Sequence, residues 1–104
     1  MMNYHNQATD HLFEAILSLK TLDECYQFFE DACTIKEILD IAERFAVAKM
    51  LSEKNSYATI TKETGMSTAT ISRVNRCLLY GTGGYRMAIE RTKKTDSPQN
   101  DGND

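Results

Sequence analysis

Apolar residues recur at helical spacing along nearly the whole chain, and no stretch alternates apolar and polar residues at the period of two that a half-buried strand requires. Leu12, Phe13, Ile16, Leu17 and Leu19 form one face of a first helix, expected over about residues 9–20. Thr21-Leu22-Asp23-Glu24 then has capping-box spacing: a hydroxyl can accept from an orphan backbone amide while a carboxylate three residues on reaches back. This opens a second helix, about 22–33, with Leu22, Cys25, Tyr26, Phe29 and Ala32 on one side. Thr34-Ile35-Lys36-Glu37 repeats the box before the longest helix, about 34–54, whose apolar stripe runs through Ile35, Ile38, Leu39, Ala42, Phe45, Ala46 and Met50. Two short neighbouring helices cannot easily cover so long a stripe, so part of it is expected to meet a second chain.

Asn55-Ser56 interrupts the pattern. Ser56 and Ser67 are N-cap residues for helices expected at about 57–64 and 68–79, with Gly65 in the turn between them. Gly81, Gly83 and Gly84 link these to a last helix, about 84–94, with Tyr85, Ala88 and Ile89 inward. The Gly81-Thr82-Gly83-Gly84 stretch is not followed by the Lys-Ser/Thr of a phosphate-binding loop and reads as a hinge. Residues 1–94 are expected to form one all-α domain, and residues 95–104, which include the only proline, Pro98, a disordered tail.

The net charge of −3 over 104 residues conceals a strong asymmetry. Residues 1–44 set Lys20, Lys36 and Arg44 against nine Asp and Glu, a balance of −6, whereas residues 45–94 set nine cations against Glu53, Glu63 and Glu90, a balance of +6. A basic C-terminal half beside an acidic N-terminal half is the distribution of a nucleic-acid-binding face on an otherwise acidic protein. Cys25, Cys33 and Cys77 form no CxxC pair and have no His at metal-ligand spacing, so reduced thiols and no metal site are expected. His5 and His11 have no partner spaced as a nucleophile and base, which argues against an enzyme, and no cofactor motif occurs. The first ten residues lack the apolar core of a signal peptide and there is no run of about 18 apolar residues, so the expectation is a soluble cytoplasmic protein.

Residues 57–76, YATITKETGMSTATISRVNR, fit a helix-turn-helix position by position. Gly65 is ninth, where the turn commonly needs a positive φ that glycine adopts without a Cβ clash. Ile60, Met66, Ile71 and Val74 are fourth, tenth, fifteenth and eighteenth, where the two helices bury a shared apolar wedge. Thr61 at the fifth position is larger than the usual Ala or Gly, and Thr64 at the eighth replaces an apolar residue. Ser67, Thr68, Ala69, Ser72, Arg73 and Arg76 are left to face outward on a recognition helix, with Thr61 and Lys62 added from the helix before it. Short hydrogen-bonding side chains, a methyl group and flanking cations suit base edges, thymine methyls and phosphates of a major groove.

ETGMSTATISRVNRCL, with ERFAVAKMLSEK before it, resembles the Trp repressor superfamily, and within it the Trp-repressor-like YerC/YecD family, over roughly residues 10–92. The resemblance implies a multihelical, intertwined homodimer that binds double-stranded DNA and regulates transcription, as a repressor. It also places a ligand pocket: L-tryptophan in the founding member sits at positions that match Thr34, Arg44, Thr70, Arg73, Val74 and Cys77. Val74 stands where that repressor has glycine beside the indole, and Cys77 where it has a serine that helps bind the amino group. Added volume and a poorer hydrogen-bond partner argue against L-tryptophan as corepressor. Two alternatives stay open at this point: a helical dimeric protein-interaction module, and a repressor that depends on a different small ligand.

Overall fold

The computed structural model describes residues 4–96, with side chains as far as Lys93, and over that span it contains six helices and no strand. They are α1 (Gln7–Leu17), α2 (Leu22–Ala32), α3 (Ile35–Ser52), α4 (Tyr57–Thr64), α5 (Thr68–Tyr80) and α6 (Gly84–Asp96). The chain divides into two compact units, with the boundary inside α3 after Leu39.

In the first unit every helix start is made by a side-chain cap. α1 begins two residues earlier than the apolar pattern indicates because Asn6 and Thr9 cap reciprocally: Thr9 N donates to Asn6 Oδ1 at 2.9 Å and Asn6 N to Thr9 Oγ1 at 2.9 Å. It also ends early, at Leu17, where Ser18 N and Leu19 N turn back to Ala15 O and Ile16 O. For α2, Glu24 N donates to Thr21 Oγ1 at 3.0 Å, but the Glu24 carboxylate accepts from Lys20 N at 2.7 Å rather than from the cap residue itself. The box at Thr34 closes both ways, with Glu37 N donating to Thr34 Oγ1 and Thr34 N to Glu37 Oε1. Neither α1 nor α2 has a buried residue. Leu22, Cys25, Tyr26, Phe29 and Ile38 instead line an open apolar trough.

The second unit holds the hydrophobic core: Val47, Ala48, Ile60, Ile71, Val74, Leu78 and Ile89, each no more than 5% exposed. Phe45, Met50, Leu51, Tyr57, Met66 and Tyr85 pack around it. The side of α3 that is buried differs from the expected stripe. Val47 and Ala48 enter the core, whereas Ile35, Leu39, Ala42 and Ala46 are exposed. α3 carries two apolar faces, and only the one across from α4 to α6 is covered within the unit. α3 stops at Ser52 rather than at residue 54, because Lys54 turns to a left-handed φ of 70° and Asn55 returns its backbone N–H and its Nδ2 to Met50 O at 3.1 and 3.0 Å.

Tyr85, Ala88 and Ile89 face inward on α6, with the Phe45 and Tyr85 rings 6.4 Å apart. α6 continues through Thr95 and Asp96, two residues that were expected in the tail. The rest of the expected tail lies outside the described residues.

Candidate nucleic-acid interface

Two short helices and a turn make the candidate surface. Ser56 caps α4, with Thr59 N donating to its Oγ at 3.1 Å, and α4 ends at Gly65, whose φ of 75° and ψ of 3° lie in the left-handed region. Ser67 caps α5, accepting from Thr70 N at 3.2 Å. Between them the turn Gly65-Met66-Ser67 redirects the chain over the apolar wedge of Ile60, Ile71 and Val74, all at or below 1% exposure, with Met66 partly buried beside them. Close-packed aliphatic groups therefore hold the middle of α5 against α4.

The opposite side of α5 is open to solvent. Thr68, Ala69, Ser72, Arg73 and Arg76 are exposed, as are Ser67 before the helix and Lys62 on α4. Ser67 has a structural task as well, since its hydroxyl both caps α5 and donates to Thr70 Oγ1 at 3.1 Å. Thr61, expected on the outer face, is half-buried, and its Oγ1 is enclosed with no hydrogen-bond partner. A fifth-position side chain points between the two helices, which is why small residues are usual there. Thr64, which stands where the pattern usually has an apolar residue, has a structural use for its hydroxyl: it donates to Ile60 O at 2.7 Å and accepts from Met66 N at 3.1 Å, joining the end of α4 to the turn. Arg86, which the sequence pattern did not single out, donates from Nε to Leu78 O at 2.9 Å and so occupies the C-terminal end of α5. An arginine shortly after a glycine link was the available signal, because cations favour helix C-termini.

Of the residues matched to a ligand pocket, Arg44, Thr70 and Arg73 come together with Ala69 around an open cleft of about 310 Å³. Val74 is in the core at 1% exposure, in one cluster with Val47 and Ala48 of α3. Cys77 is exposed and lines a separate, mostly apolar cavity with Gly81, Thr82, Gly84 and Tyr85. Thr34 belongs to the first unit, where it caps α3. Among the described residues no group of three His, Cys, Asp or Glu could hold a metal ion, the three cysteines are free, and no helix is long and apolar enough to cross a membrane.

Known proteins share this arrangement. The chain is 59% identical over 88 residues to the uncharacterized protein YerC of Bacillus subtilis (strain 168), covering 85% of each protein. Its fold matches a TrpR-like protein from Eubacterium eligens ATCC 27750 with a TM-score of 0.80 and 62% identity, over 83% of this chain and 89% of that one. It also matches a candidate Trp repressor from Staphylococcus aureus with a TM-score of 0.82 and 49% identity, over 86% and 89% of the two chains. The family model for the Trp repressor protein matches residues 7–93, from the first residue of α1 to the last described side chain, and by that match the chain belongs to the Trp repressor family.

Proposed function

We propose that the protein is a sequence-specific regulator of transcription, a repressor and not an enzyme, that reads the major groove of double-stranded DNA with α5 as one half of a homodimer. The observation that carries this reading is the division of α5 into two faces. Ile71, Val74 and Leu78 hold it to the core, while Thr68, Ala69, Ser72, Arg73 and Arg76 stand free, a set that combines base-edge donors, a methyl group and phosphate-binding cations. Membership of a family of DNA-binding regulators and the +6 balance of residues 45–94 support the same reading. Exposed Leu12, Phe13, Leu17, Leu22, Tyr26, Ile35 and Leu39 support a second copy as the partner of the N-terminal helices.

Val74 supports a regulator that works without L-tryptophan. A valine whose methyls complete the core shared by α3 and α5 leaves no volume at that position for an indole to fill. A second reading, dependence on a different small ligand, draws support from the cleft at Arg44, Thr70 and Arg73, where two guanidinium groups could hold an anion.

Selection of duplexes from a random and genomic pool at two salt concentrations, with and without L-tryptophan, tests the proposal. The expected product is a near-palindromic motif with half-sites roughly 34 Å apart, bound less tightly at high salt and equally with and without tryptophan. Arg73→Ala or Arg76→Ala is expected to weaken binding and flatten its salt dependence, and Thr68→Ala or Ala69→Ser to alter the preferred bases. A tryptophan requirement would overturn the ligand-free reading. Absence of any enriched, salt-sensitive sequence would overturn DNA binding and leave the protein-interaction module.

A further inference from the structure

A helix that reads bases must hold its direction while its outer face is bare. The apolar wedge holds the middle of α5 and sets roughly how it crosses α4, but packed helices still scatter by about 15–20° around a preferred crossing angle. The turn that leads into α5 and the last turn of α5 are each held by a polar contact from a neighbouring helix. At the start, Thr64 on α4 donates from Oγ1 to Ile60 O at 2.7 Å and accepts from Met66 N at 3.1 Å. One hydroxyl thus ties the last turn of α4 to the residue just before the Ser67 cap, across the left-handed Gly65.

At the far end the chain leaves the helix at Gly81, with φ −82° and ψ −157°. Gly81 N still donates to Cys77 O at 2.9 Å, but the next carbonyl, that of Leu78, has lost the helical amide that would have followed. Arg86 Nε on α6 takes that place at 2.9 Å and sets a cation at the negative end of the helix. A side chain at residue 81 would interfere with this closure, since a Cβ there would come within 2.4 Å of Cys77 O.

We infer that Thr64 and Arg86 are positioning residues that lock the two ends of α5 in its DNA-reading direction, so that no small molecule is needed to set it. The inference rests on the DNA-binding reading above and gives it a mechanism. The locks act through backbone groups, so they constrain the direction of α5 and leave its outer side chains free for DNA. Loss of either lock releases one end of the helix. Phosphate attraction survives such a release, because it needs charge near the duplex and not a fixed angle, whereas base readout does not.

The test uses the full chain as wild type, Thr64→Val, Thr64→Ser, Arg86→Met and Arg86→Gln. Valine keeps the shape of threonine without its hydroxyl. Glutamine keeps an N–H donor at the same number of bonds from the backbone as the arginine Nε, without the charge. Each protein is measured for melting temperature, for amide exchange at Met66 and in the last turn of α5, and for affinity to the duplex selected by wild type and to an unrelated duplex of equal length.

Thr64→Val is expected to speed exchange at Met66, and Arg86→Met to speed it at the end of α5. Each should lower the preference for the selected duplex by about threefold to tenfold, the effect of one lost hydrogen bond, with affinity for the unrelated duplex unchanged. Thr64→Ser and Arg86→Gln should restore most of the preference. Melting temperatures that fall while exchange at the α5 ends and duplex preference stay as in wild type would overturn the inference and leave ordinary stabilising contacts. If wild type prefers no duplex, the DNA-binding reading fails, and the exchange pattern judges the locks by itself: faster exchange at the α5 ends upholds them and unchanged exchange refutes them.

Discussion

Gly65→Ala is a test of how the turn before α5 is made. Residue 65 has a φ of 75°, and a Cβ built there meets nothing within 4 Å, so the substitution introduces no clash with a neighbour and probes the backbone angle alone. For an L-residue with a Cβ the left-handed conformation costs about 1–2 kcal/mol. Alanine also narrows the unfolded ensemble, which returns about 0.4–1 kcal/mol. The net expectation is a loss of about 1 kcal/mol, or a fall of about 4–8 °C in melting temperature for a domain of this size. Gly65→Asn should lose only a few tenths of that, because asparagine tolerates the left-handed region. Denaturant unfolding of the three proteins at one fixed protein concentration measures the differences, the fixed concentration being needed because association adds to apparent stability. Alanine as stable as glycine, or asparagine as costly as alanine, would refute the argument and show that the turn relaxes out of the left-handed region at little expense.

Two further substitutions separate side-chain roles around α5. Thr61→Val removes an enclosed hydroxyl that has no partner and should raise stability by about 1 kcal/mol in thermal or chemical unfolding, whereas a loss of stability would mean that the hydroxyl is satisfied by water. Ser67→Ala should cost about 1 kcal/mol by removing the α5 cap, while Ser67→Asp should keep the cap and the stability but weaken DNA binding by placing a carboxylate at the duplex; equal DNA affinity for Ser67→Asp and wild type would place the reading surface elsewhere.

The order and type of all six helices were legible because their signals are local. Caps at Thr21, Thr34, Ser56 and Ser67 and the glycine at the turn need only neighbours in sequence. The start of α1 was not, since Asn6 caps it with Thr9 before the apolar periodicity begins at Leu12. The end of α3 was misread because Lys54 adopts a conformation usually left to glycine or asparagine, held there by Asn55 on Met50 O. Which face of α3 is buried was also hidden: Ile35, Leu39, Ala42 and Ala46 are as periodic as Val47 and Ala48, and periodicity does not say which partner covers which face. In the candidate site, residue types indicated the outward set on α5 but not the hydrogen bonds of Thr64 and Arg86, which depend on a donor and a carbonyl being brought together by folding.

The two units differ in what they can accomplish alone. Residues from Asp40 onward contain every buried side chain among the described residues, so the direction of α5 is determined by groups within one unit of one chain. The N-terminal helices have no fully buried residue and expose leucine, phenylalanine and tyrosine, which is unfavourable in water at about 25 cal/mol per Å² of apolar surface. A second copy covering those faces would therefore supply the spacing between two reading helices, while each helix would keep its direction from its own core and from the proposed contacts of Thr64 and Arg86. If that division holds, changes at Thr64, Gly65 or Arg86 would act on each half-site separately, and changes at Leu17, Leu22 or Tyr26 would act on the coupling between half-sites. In such a dimer, sequence preference and dimer strength would be independently adjustable.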